Sequence, residues 1–154
     1  MSGGKGALSP PLNGSICLLK YQEESVMIGY ATLGTNDIDA ALTFYDALLA
    51  TAGGKRLMQM PDDRKLTFYG AGAAKPMLVI GKPYDGQAAT AGNGTMVALA
   101  ADSRAQVDQV HAKAIELGGA DEGAPGIRGP EDMGFYGAYF RDLDGNKLCV
   151  FKMG

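Results

Sequence analysis

Two stretches of the chain repeat one arrangement of apolar and polar positions. In the first, Ile28-Gly29-Tyr30-Ala31-Thr32-Leu33-Gly34 alternates as a half-buried strand does. It runs into Thr35-Asn36-Asp37, where Asn36 or Asp37 can accept hydrogen bonds from the free amides of a helix's first turn. Apolar residues then recur at Ile38, Ala41, Leu42, Tyr45, Leu48 and Leu49, one face of a helix that stops at Gly53-Gly54. The same order returns about 66 residues later. Thr95 to Ala100 alternates as a strand, Ser103 and Gln106 make an S-x-x-Q capping box, and Val107, Val110, Ala114 and Leu117 form the stripe of a helix ended by Gly118-Gly119.

Each helix is followed by a strand-rich stretch containing the same tripeptide, Phe68-Tyr69-Gly70 and Phe135-Tyr136-Gly137. Each half closes on a buried-looking strand, Met77 to Ile80 and Lys147 to Phe151, the second entered through the turn Asp144-Gly145-Asn146. The spacing predicts an α+β fold of eight strands and two main helices, as two βαβββ modules over 27–81 and 95–154 with a Gly-rich linker over 82–94. Residues 1–26, rich in Gly, Ser and Pro and weakly periodic, read as an extension outside the core, with Met27 opening the first convincing strand.

Composition narrows the partners. Of 154 residues 46% are hydrophobic, ordinary for a globular core, and the net charge is -3. Lysines and arginines are scattered, so the basic footprint of a nucleic-acid binder is missing. No apolar run nears the roughly 18 residues of a membrane helix, and the stretch Ser15 to Leu19 is too short for a secretory signal. Cys17 and Cys149 form no CxxC pair and read as reduced thiols. A cytoplasmic protein is expected.

With that order of elements, residues 27–154 resemble the vicinal-oxygen-chelate superfamily, which includes glyoxalases, bleomycin-resistance proteins and extradiol dioxygenases. The resemblance rests on Tyr30 to Gly34 followed by Asn36-Asp37, on Phe44-Tyr45, on Gly92-Asn93-Gly94-Thr95, on the Gly123-Ala124-Pro125-Gly126 loop, and on Asp142-Leu143-Asp144-Gly145-Asn146. The last is close to the family's DPDGN turn, with Leu143 where proline is usual. The resemblance implies curved mixed sheets around a cavity, helices on the convex faces, and a homodimer. It also implies a metal-ligand position on the first and last strand of each module. Those positions here carry Tyr30, Val79, Met96 and Cys149, a set poor in the oxygen and imidazole donors of a divalent ion. The single histidine, His111, falls at the edge of the second helix's stripe, as a packed or surface residue. No metal and no cofactor is expected.

Other side chains carry two readings each. Cys149 is a nucleophile if a base or cation activates it, with Lys147 on the same strand face, or a small hydrophobe on the cavity floor. Tyr30, Phe68, Tyr69, Met96 and Tyr136 either line a pocket for a flat organic ligand or pack the sheet; alternation lets only one of Phe68 and Tyr69, and one of Phe135 and Tyr136, face inward. Arg128, in the loop from Gly126 to Gly129, and Arg141 are solvated or anchor an anionic substrate. The ligand-binding set is therefore Tyr30, Phe68, Val79, Met96, Arg128, Tyr136 and Cys149. The function expected is metal-independent binding of a small organic, aromatic molecule. Two alternatives stand beside it: a lyase, isomerase or dioxygenase with a non-standard site, and a filled cup acting through partner contacts.

Overall fold

The structure is a computed structural model that describes residues 27–72 and 75–154. The extension over 1–26, with Cys17 and the stretch 15–19, lies outside the described residues. The first module comprises β1 (Tyr30–Gly34), α1 (Ile38–Thr51), β2 (Lys55–Gln59), β3 (Thr67–Gly70) and β4 (Met77–Gly81). The second comprises β5 (Val97–Ala100), α2 (Arg104–Glu116), β6 (Ala120–Ile127), a 3-10 turn at Glu131–Met133, β7 (Phe135–Arg141) and β8 (Lys147–Met153). Each sheet is mixed: the orders are β1-β4-β3-β2 and β5-β8-β7-β6, with the first pair of each parallel. The fold is thus α+β, two βαβββ modules. Among the described residues no helix is long and apolar enough to cross a membrane.

Both helices start where the caps predict. Asp37 accepts from Ala40 N at 3.1 Å, and Ser103 accepts from Gln106 N at 3.1 Å. The capping box closes one residue early, because Gln106 Oε1 takes the amide of Asp102 (2.7 Å) and its Nε2 donates to Thr51 O (3.0 Å) at the end of α1. Gly53 and Gly118, with φ of 77° and 94°, supply the left-handed residue that turns the chain out of each helix.

The stripes of α1 and α2 pack on one face of the sheets and on each other. Leu48, Val107, Val110, Ala114, Phe140, Leu148 and Val150 are wholly buried in one core shared by both modules. Beside it lies a polar clasp. The Asp142 carboxylate, 6% exposed, accepts from Tyr45 Oη (2.6 Å), Asn146 Nδ2 (2.8 Å) and the amides of Asp144 and Asn146. Asn146 Nδ2 also donates to Gly34 O at 2.9 Å, and Asn36 N donates to Asp144 Oδ1 at 2.8 Å. The family-like turn therefore grips the end of β1 and the face of α1. Burial and the adjacent Asp142 charge push the Tyr45 phenol well above its ordinary pKa, so it stays a donor.

Three boundaries differ from the periodicity. β1 starts at Tyr30 and β5 at Val97, because pairing begins at Tyr30–Met77 and Val97–Leu148. Residues 123–126, expected as a loop, belong to β6, whose register against β7 shifts twice; the glycines and Pro125 bulge the strand without ending it. The repeated tripeptide is not an equivalent pair. Phe68 lies opposite Val79, and the equivalent of Val79, Cys149, lies opposite Tyr139, four residues beyond Phe135. The even offset keeps each Phe on one face and each Tyr on the other.

Candidate functional site

Alternation along each central strand sends one set of residues into the shared core and the other onto the opposite, concave face. In the first module Leu78 and Ile80 enter the core, while Val79 lies on the concave floor between Thr32 and Phe68, 1% exposed. Tyr30 and Phe68 meet edge to face at 5.9 Å above it, and Tyr30 is 59% exposed. Tyr30, Thr32 and Phe68, with Val79 buried beneath them, line a concavity of about 590 Å³ whose far wall is the start of the linker, Lys82 to Asp85 and Ala88 to Thr90. Asn36 fastens that wall, donating to Ala89 O (3.0 Å) and accepting from Ala89 N (2.8 Å). Arg64 stacks over Tyr84, 5.2 Å from the ring centroid, at the rim.

The second module repeats the plan with other chemistry. Cys149 occupies the floor between Ala98 and Tyr139, 1% exposed. Lys147 lies on the same face, and Arg128, folding back along β6, and Lys147 both approach the Tyr139 ring, at 5.7 and 5.6 Å. Glu122 binds Arg141 Nε at 2.6 Å and Lys147 Nζ at 3.2 Å, which hold its carboxyl below the usual range. Phe135 and Phe151 stack at 5.2 Å at the other end of the face. A concavity of about 510 Å³ is lined by Ala91 to Met96, Arg141 and Lys147.

Of the residues singled out in the sequence, Tyr30, Phe68 and Val79 come together in the first half-cup. Cys149 and Arg128 both flank Tyr139 in the second, with Met96, 44% exposed, in the lining at its linker end. Tyr136 does not join them. It faces α2, where its hydroxyl donates to Asp108 at 2.8 Å and Arg104 covers its ring. Tyr69 likewise turns to the helix face and donates to Asp46 at 2.9 Å. His111 is buried on α2, edge-on to Phe140, with Nε2 3.1 Å from Asp121.

The side chains at the four expected ligand positions do not fit a divalent ion. Tyr30, Val79, Met96 and Cys149 bring a phenol, an isopropyl group, a thioether and a thiol, and Val79 and Cys149 are on different half-cups. Among the described residues no three His, Cys, Asp or Glu side chains gather as a metal site would need. Burial pushes the Cys149 thiol up, against the opposing pull of Tyr139, Arg128 and Lys147. It is a protonated floor group, and no imidazole stands by to activate it.

Tyr139, Glu122 and Lys147 complete the second half-cup, and pattern reading passed over the first two. The signal for Tyr139 was its even spacing from Phe135 and Arg141 on one strand. Arg128, already named from the sequence, lies along the strand over Gly123 and Gly126: a Cβ on Gly126 would stand 2.9 Å from the guanidinium, which would have to shift.

Comparison with known proteins agrees with this architecture. A crystal structure of a glyoxalase/bleomycin resistance protein from Albidiferax ferrireducens is 38% identical, with a TM-score of 0.69, over 82% of this chain and 98% of that one. A lactoylglutathione lyase from Agrobacterium tumefaciens is 26% identical, with a TM-score of 0.58, over 85% and 96% of the two chains. An antibiotic-binding protein from Streptomyces is 21% identical, with a TM-score of 0.59, over 84% and 98%. No curated protein sequence matches. The model of the Glyoxalase/Bleomycin resistance protein/Dioxygenase superfamily matches residues 27–150, and the chain belongs to that family.

Proposed function

We propose that this chain is a metal-independent small-molecule binding protein whose ligand is a flat, aromatic organic molecule, held in half-cups that a second copy of the chain closes. One observation carries the reading. Open volumes of several hundred Å³ stand against both sheets, the second between the linker and the Arg141–Lys147 end of its concave face, while the positions that hold a metal in catalytic relatives carry groups that do not fit one. An edge-to-face aromatic pair over an apolar floor, with Tyr30 largely exposed, offers stacking area to a ring and little chemistry to transform it. The Streptomyces neighbour is an antibiotic-binding protein of the same fold, which supports small-molecule binding.

The homodimer follows from the same half-cups. Each concavity takes its walls from one module and part of the linker, so each is open on a side that the other module of a partner could cover. A thermal-shift screen against aromatic antibiotics and metabolites tests the binding, since a ligand of the native state raises its stability. Light scattering tests the dimer. A broad screen without a hit, or stoichiometric iron, nickel or zinc in protein purified without chelators, would overturn the reading.

A further inference from the structure

We propose that the concave face of the second module is an anion subsite, in which Arg128 and Lys147, both against the Tyr139 ring, take the carboxylate of an aromatic acid. The inference rests on the binding function proposed above and names the class of ligand. Of three cations on this face, Arg128, Arg141 and Lys147, the last two share one carboxylate, Glu122. Arg141 is satisfied, with Nε on Glu122 and Nη1 on Gly145 O at 2.8 Å. Lys147 has only the second oxygen of that carboxylate, at 3.2 Å. Arg128 pairs with no carboxylate among the described residues, and its guanidinium donates only to the main-chain carbonyls of Ala124 and Ile127.

The surroundings make these charges a subsite. Arg128 is held by the strand it lies on, through the glycine gap at Gly126 and the ring of Tyr139, so its fork is oriented before any ligand arrives. Both cations lie against the ring of Tyr139, the residue opposite the buried Cys149, which puts them beside the floor of the half-cup. The stacked Phe135 and Phe151 at the other end of the face offer the ring of the same ligand an apolar wall. A guanidinium with free donors beside an ammonium fits a carboxylate better than a neutral or cationic group. The first half-cup also carries two cations, Arg64 and Lys82, but Arg64 lies over Tyr84 and 3.8 Å from Asp62, and the two do not meet at one ring beside the floor.

Calorimetry with three probes on one skeleton, 1-naphthoate, 1-naphthamide and 1-naphthylmethylamine, tests the assignment. Naphthoate is expected to bind about tenfold tighter than the amide at low ionic strength, as one charge-assisted contact allows, with the amine weakest. Arg128→Gln or Lys147→Gln brings naphthoate down toward the amide and leaves the amide unchanged, while Arg128→Lys keeps part of the preference. Gly126→Ala is expected to weaken naphthoate in the same direction as Arg128→Gln but by less, because the new methyl only shifts the guanidinium.

Equal binding of acid and amide, or variants that weaken both alike, overturns the subsite and leaves the binding function standing. If none of the three probes binds, both the subsite and the function it rests on are counted wrong. If Arg128→Gln splits a dimer without changing the ranking of the probes, the cations serve the partner copy and the subsite is overturned.

Discussion

The two half-cups share a backbone plan and differ in what they line it with. In the first, Val79 sits on the floor between Thr32 and Phe68, with Tyr30 above and a linker wall beside it. In the second, the equivalent floor residue is Cys149, between Ala98 and Tyr139, with two cations against that ring. The residues facing the core are interchangeable hydrophobes in both modules, because the core asks only for volume. The concave residues are under no such demand, so the repeat persists in the fold and lapses in the chemistry.

The largest effect is expected where the modules are joined. Asp142→Ala removes the acceptor for Tyr45, Asn146 and two amides, and should lower stability by about 3 kcal/mol or more in urea unfolding. A loss under about 1 kcal/mol would mean the half-cups ride on separable modules. Tyr45→Phe leaves the carboxylate short of one donor and should cost about 1.5–3 kcal/mol.

Phe68→Ala should weaken an aromatic ligand about tenfold, through lost ring contacts, while changing the melting temperature little. The same substitution at Tyr136, on the helix face, should leave binding unchanged; an equal loss there would erase the distinction between the faces. Smaller again are the floor exchanges. Val79→Cys and Cys149→Val each conserve apolar volume and should cost under about 1.5 kcal/mol, whereas Cys149→Ser, which buries a hydroxyl, should cost more.

The smallest effect separates the half-cups by pH. Glu122 is held below its ordinary pKa by Arg141 and Lys147. Its pairing therefore stabilises the fold above about pH 4.3, its unfolded value, and fades as pH falls through the lower folded value. Glu122→Gln lacks that increment, so wild type and variant should converge in stability as the medium is acidified below about pH 4. A constant gap across the acid range would mean that the pairing is unimportant.

Most of the fold was legible because helix and strand periods are imposed by the core. The stripes Ile38 to Leu49 and Val107 to Leu117, the two caps and the glycine stops all stand where the spacing puts them. Bulged β6 was not legible as a strand, because glycine and proline signal a loop whether or not a partner strand holds them. The tripeptide Phe-Tyr-Gly misled in register, since a match in letters says nothing about which residues pair. At the site, alternation told which ring of each pair could face inward, but only the packing showed that Tyr69 and Tyr136 turn to the helices. Tyr139 was invisible because its role depends on Arg128, which reaches it by folding back along its own strand.

The clasp also bears on how the chain is made. Tyr45 and Asp142 lie 97 residues apart, and the apolar stripe of α1 packs in part on α2, in one core with residues as late as Leu148 and Val150. On a ribosome the first module would emerge with part of that stripe uncovered until α2 follows, and with its phenol unpaired until Asp142 is out. Such contacts of long sequence separation form late and leave apolar surface exposed meanwhile. The nascent first half is thus the stage at which this chain is most open to misassociation, and slowed synthesis beyond the linker would lengthen it.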